Sequence, residues 1–193
     1  MSKPQKRRHE FPPLQKLIIL HLAHSEPETI NQTKKGIRKD YKSTYIALSS
    51  LKQKGLVQET KTKKYLNREY PEFWLAEKGI FLALYYEPKP ANLLWRATKI
   101  YPENKSLHFL IEAAPILGKN ALDVLYLAAS TDGEIEQDEI NHIFGRQLAQ
   151  KLTPEQIKQF AAILKKYPDQ QQKCMNSLNQ TKENISKITK LIS

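Results

Sequence analysis

The feature that most restricts the fold of this chain is a change of hydrophobic period at Gly55. Before it, apolar residues recur at helical spacing in three short runs. Leu14, Leu17, Ile18, Leu20 and Leu22, with His21 among them, mark a first helix that ends near Ser25-Glu26-Pro27. Thr29-Ile30-Asn31-Gln32 has the form of a capping box, a hydroxyl and an amide three residues apart satisfying each other's backbone N–H groups, so a second helix starts there and runs through Ile37. After a turn through Arg38–Asp40, Asp40 caps a third helix whose Thr44, Ala47, Leu48 and Leu51 share one face. The opposite face carries Lys42, Ser43, Tyr45, Ser49 and Lys52. Gly55 then supplies the left-handed stop. Leu56–Thr62 and Tyr70–Leu75 read as two strands joined by a cationic connection, Lys63–Arg68, and Ala76–Tyr86 returns to helix.

Pro88 and Pro90 mark the expected domain boundary, which gives a basic arm (residues 1–13), a first domain (14–87) and a second domain (88–193). The second domain reads as all helix: Ala91–Tyr101, Ser106–Leu117, Asn120–Ser130, Gln137–Lys151, Pro154–Lys166 and a last helix from Pro168. Thr153-Pro154-Glu155-Gln156 combines an N-cap, a proline at the first helical position and a capping-box glutamine. Met175, Leu178, Ile185, Ile188 and Ile192 form an apolar stripe that either pairs two copies of the chain or packs within one. The fold class expected is mainly α.

Charge is distributed as unevenly as period. Residues 1–100 hold 20 Lys and Arg against 9 Asp and Glu, whereas residues 101–193 hold 11 of each, so the whole net charge of +11 belongs to the first part. Such segregation points to a polyanionic partner. No apolar run is long enough to span a membrane. Lys16 and His21 interrupt the apolar segment that follows the basic N-terminus, so that segment is not read as a secretion signal. With a single cysteine, Cys174, no internal disulfide is available, and the expectation is a soluble cytoplasmic protein.

Ser43-Thr44, Leu51, Lys54-Gly55-Leu56-Val57 and Trp74-Leu75-Ala76-Glu77-Lys78-Gly79 resemble the recognition-helix and post-wing signatures of MarR-like and PadR-like regulators. The resemblance covers Leu14–Tyr86. Ala76 stands where those families carry threonine, and Asn67-Arg68 where MarR-like proteins carry Asp-x-Arg. It implies a winged helix-turn-helix of three helices and a two-stranded wing, binding double-stranded DNA. Lys42, Ser43, Tyr45, Ile46 and Ser49 would then face bases or phosphates, with Lys52 beside them, and Lys61, Lys63, Lys64 and Arg68 would lie on the wing. Lys6, Arg7 and Arg8 of the arm would add a minor-groove or backbone contact. The resemblance does not extend to the second domain, which is expected to dimerise, bind a small-molecule effector or dock a protein partner, so the expectation is a transcriptional regulator acting as a homodimer. The residues leave a second reading open, a winged-helix adaptor that binds protein or RNA and scaffolds an assembly through its C-terminal helices.

The third helix offers few groups that read base edges, which predicts modest sequence discrimination. Nothing in the sequence has the spacing of a catalytic or metal centre, and no enzyme, cofactor or metal is expected. Thr131–Glu139 matches only the back half of a calcium loop, because Ala128 and Ser130 fall where its first carboxylates belong. His21 and His24 lack the further ligands zinc takes, and no nucleophile signature surrounds Cys174 with either His108 or His142.

Overall fold

The computed structural model describes residues 11–130 and 152–192. The arm residues Lys6, Arg7 and Arg8, the expected helix Gln137–Lys151, the acidic segment Thr131–Glu139 and His142 lie outside the described residues. The chain is mainly helical, with one small antiparallel sheet, and it divides into two compact units, Met1–Ala76 and Glu77–Ser193.

In the first unit the order is α1 (Pro13–His24), β1 (Glu28–Thr29), α2 (Ile30–Gly36), α3 (Tyr41–Gln53), β2 (Val57–Tyr65) and β3 (Arg68–Leu75). The local signals act as their chemistry dictates. The N–H of Gln32 reaches Thr29 Oγ1 at 3.4 Å while that of Thr29 donates to Gln32 Oε1 at 3.0 Å, and Asp40 Oδ1 accepts from the Ser43 N–H at 2.8 Å. Gly55, at φ 66°, closes α3 with paired bonds from Leu56 N–H to the Leu51 carbonyl and from its own N–H to that of Lys52. The same pair of bonds closes α2 around Arg38, at φ 55°, so there the left-handed position is filled without glycine.

The core gathers Ile18, Ile19 and Leu22 of α1, Leu48 and Leu51 of α3, and Phe73, Trp74 and Leu75 of β3. The Trp74 indole N–H donates to the Ser25 carbonyl at 3.0 Å, so its polar edge is satisfied inside. Gly36 is fixed by close approach: a Cβ there would lie 2.2 Å from Cε1 of His21, whose Nε2 is held 2.9 Å from Glu28 Oε2. His21 is therefore a wedge between α1, α2 and β1.

Two expectations change. The sheet has three strands in the order β1-β3-β2, since Glu28–Thr29 pairs with Phe73 and Glu72; two residues carry no periodicity to read. The connection between β2 and β3 is only Leu66-Asn67, with φ 46° and 58°, the two positive values a tight primed turn needs. Lys63, Lys64 and Arg68 are consequently strand residues, in the register Lys63↔Tyr70, Lys64↔Glu69 and Tyr65↔Arg68.

The second unit contains α4 (Glu77–Tyr86), α5 (Leu93–Ile100), α6 (Lys105–Leu117), α7 (Lys119–Ser130), α8 (Pro154–Lys166) and α9 (Pro168–Ile192). The unit boundary thus precedes α4, not Pro88, because α4 packs on α6 and α7. An α4 buried over Gly79–Leu84 has no solvent face to amphipathically mark, consistent with its nearly continuous apolar sequence. α6 also packs against α5, α7 and α8, with Phe109 set edge-on to Phe160 and Tyr167. Asn104 caps α6 by accepting from the Leu107 N–H and donates to Glu77, whose carboxyl is pushed up by burial. Among the described side chains of α9, Gln170, Cys174 and Ser177 are buried and Met175 of the expected stripe is exposed, while Ile185, Ile188 and Ile192 lie outside the described side chains.

Candidate functional site

Because Thr44, Ala47, Leu48 and Leu51 anchor one side of α3, Tyr41, Lys42, Tyr45, Ile46 and Lys52 are left exposed on the other, with Ser49 half-buried beside them. Ser43 is half-buried as well. Its backbone N–H, and then its hydroxyl, hold the Asp40 carboxyl below its usual range. Tyr41 and Tyr45 lie one helical turn apart with nearly parallel rings, 6.3 Å between centroids, and Lys34 of α2 sits 5.9 Å over Tyr41. Tyr45 is 51% and Ile46 57% exposed, so folding takes little from either side chain.

Strand alternation sorts the basic residues of the hairpin. Directly opposed residues share a face, so Lys61, Lys63 and Tyr65 lie with Glu72, Tyr70 and Arg68 on one side, and Lys64 lies with Glu69 on the other. The four expected wing cations therefore do not form one cluster. Lys64 is turned away from the others by the period of two and pairs with Glu69 at 3.2 Å. Lys61 reaches the buried Glu72 at 3.5 Å, and Lys52 pairs with Glu59 at 2.6 Å. Lys42, Lys63 and Arg68 are exposed, and among the described residues no acidic side chain lies within ion-pair distance of them.

One feature joins the two surfaces. Tyr41 of α3 and Tyr70 of β3 line the same small cleft, about 90 Å³, together with Thr29, Ile30, Asn31 and Pro71. Since Tyr70 stands opposite Lys63 and beside Arg68 on its strand face, the exposed face of α3 and the Lys61/Lys63/Arg68 face of the hairpin border one another. Tyr41, Tyr70 and Lys34 were missing from the sequence-derived set. Tyr41 was legible from its four-residue spacing to Tyr45, whereas the position of Tyr70 depends on strand register.

In the second unit, the end of α4, the segment after it, α5, α6 and α8 line a mostly apolar groove of about 480 Å³ that includes Leu84, Leu93, Ile111, Pro115 and Ile163. Glu112 at its wall is already engaged by Lys166 at 2.6 Å and by the Tyr167 hydroxyl, which donates to it at 2.8 Å. Cys174 is buried, which pushes its thiol up to about 11 and keeps it protonated at neutral pH. Among the described residues, no three His, Cys, Asp or Glu side chains gather in a way that could hold a metal ion, and no helix is long and apolar enough to cross a membrane. No protein-family model, curated protein or solved structure matches the chain.

Proposed function

We propose that the first unit is a winged helix-turn-helix that binds double-stranded DNA, with α3 in the major groove and the β2–β3 hairpin as a wing on the flanking backbone. The observation that carries this reading is the bordering of two exposed faces, Lys42 with Tyr45 on α3 and Lys63 with Arg68 on the hairpin, across the Tyr41/Tyr70 cleft. Among the described residues no acid neutralises these cations, so each is available to replace a condensed counterion on a phosphate. The confinement of the whole net positive charge to residues 1–100 supports the same conclusion. The chain then acts as a transcriptional regulator, paired through α9 so that two copies engage half-sites about one helical turn apart.

Fluorescence anisotropy of a labelled duplex, titrated between low and moderate salt, tests this. Replacing Lys42, Lys63 and Arg68 by alanine lowers the slope of log affinity against log salt by about 3, at roughly 0.9 per lost phosphate contact. Replacing the exposed Lys158 and Lys165 of the second unit leaves the slope unchanged. Absence of binding even at low salt overturns the DNA reading. The exposed Tyr45 and Ile46 would then favour the second reading, an adaptor whose α3 meets a protein partner.

A further inference from the structure

Among the described residues, the end of the β2–β3 hairpin is a long exposed surface that folding leaves unexplained. Every residue from Lys61 to Glu69 faces solvent, so the outer half of the ribbon extends beyond the core that holds Phe73, Trp74 and Leu75. At its tip are two large apolar side chains, Tyr65 at 65% and Leu66 at 80% exposure. Leu66 also occupies the first position of a two-residue turn at φ 46°, a backbone region that disfavours a side chain of its size and suits asparagine or glycine. The protein thus holds a leucine where the backbone opposes it and no packing rewards it. An outlier of that kind points towards binding.

The surroundings identify what the tip binds. Lys63, Lys64 and Arg68 lie within three residues of Leu66 on the two strands and on both faces of the ribbon, while the only acid there, Glu69, is taken by Lys64. An apolar point inside a cationic collar matches duplex DNA, in which stacked bases lie between two phosphate rails. Leucine is among the side chains that wedge into base steps from the minor groove, while cations hold the backbone on either side. We infer that the hairpin tip is a wedge for duplex DNA: Leu66 enters between base pairs, unstacks that step and bends the helix, with Tyr65 against the groove wall and Lys63 and Arg68 on the phosphates. This deepens, and rests on, the DNA reading proposed above. It adds deformation of the duplex to the act of binding and so a preference for flexible pyrimidine–purine steps.

The test uses the full chain, a set of duplexes carrying 2-aminopurine at successive positions, and an end-labelled duplex whose donor–acceptor transfer reports bending. Saturating wild-type protein raises 2-aminopurine fluorescence at one or a few positions and raises the end-to-end transfer. Leu66→Asn, which suits the turn and leaves folding intact, loses both signals while its duplex affinity falls less than tenfold; Leu66→Met keeps them. If Leu66→Asn binds and gives the same unstacking and bending as wild type, the wedge is wrong and the DNA reading stands. If wild-type protein binds none of the duplexes at low salt, the DNA reading itself fails, and the wedge with it. Leu66-dependent co-sedimentation with phosphatidylserine-containing vesicles, with duplex deformation unaffected by Leu66→Asn, would overturn the wedge in favour of a lipid surface.

Discussion

In α6 five consecutive residues, Leu107–Ile111, are buried; in the β2–β3 hairpin nine consecutive residues, Lys61–Glu69, are exposed. Side chains of the helix are accounted for by what they touch: Phe109 by Phe160 and Tyr167, and Glu112 by Lys166 and Tyr167. The hairpin tip has no such account. Its side chains contribute little burial, and its turn places a leucine at positive φ. Residues that folding rewards say little about function, and single exposed apolar residues are ordinary, but adjacent exposed apolar side chains at a backbone position that opposes one of them point to something outside the fold. This is why the functional proposal rests on the first unit although the second is larger.

The contrast can be tested through stability. Phe109→Ala removes a fully buried ring and should cost the most, about 3–5 kcal/mol, seen as faster amide hydrogen exchange through α6 and α8. An effect below about 1 kcal/mol would mean that α6 is not the packing centre of its unit. A smaller effect comes from pH. Burial, with a lesser contribution from Lys105, lowers the pKa of His108 below its usual 6.5, against the opposing carbonyls of Ala97 and Tyr101 and the charge of Glu112. The unfolded chain therefore binds a proton that the folded chain resists. The stability that His108 contributes is complete above the unfolded pKa and is lost as pH falls from there through the lower folded pKa. Thermal melts should show a midpoint falling by a few degrees on acidification from neutral pH, with a shallower fall in His108→Leu; parallel curves for the two proteins would contradict the assignment. The smallest effect belongs to the hairpin. Lys63→Ala and Arg68→Ala should each leave stability within about 0.5 kcal/mol, because neither side chain packs or pairs with an acid among the described residues. A larger loss would show that the hairpin's cations serve folding and would weaken their assignment to a ligand.

The difference between the regions also separates what could be read early from what could not. The ends of α2, α3 and α8 were legible in Thr29–Gln32, Asp40, Gly55 and Thr153–Gln156, since a cap is a bond between residues three apart and needs no other part of the chain. The exposed side of α3 followed from helical period, which also places Tyr41 one turn from Tyr45, although Ser43 and Ser49 on that side are half-buried. The two hairpin strands were legible but β1 was not, and neither was the two-residue turn, because Leu66 does not have the chemistry that such turns usually select. That one displacement changed the basic residues from loop to strand and sent Lys64 to the opposite face from Lys63.

Composition and spacing alone thus determined a mainly helical chain, the order of the helices and the two hairpin strands in residues 14–86, and the confinement of positive charge to its first part. These are properties of single residues and near neighbours. Tertiary structure alone decided that Glu28–Thr29 joins the sheet, that α4 belongs with the second unit, that His21 fills the space kept open by Gly36, and that Tyr41 and Tyr70 line one cleft. Each of these is a contact between residues distant in sequence, fixed by burial and strand register, and neither leaves a periodic trace in the segments that make it.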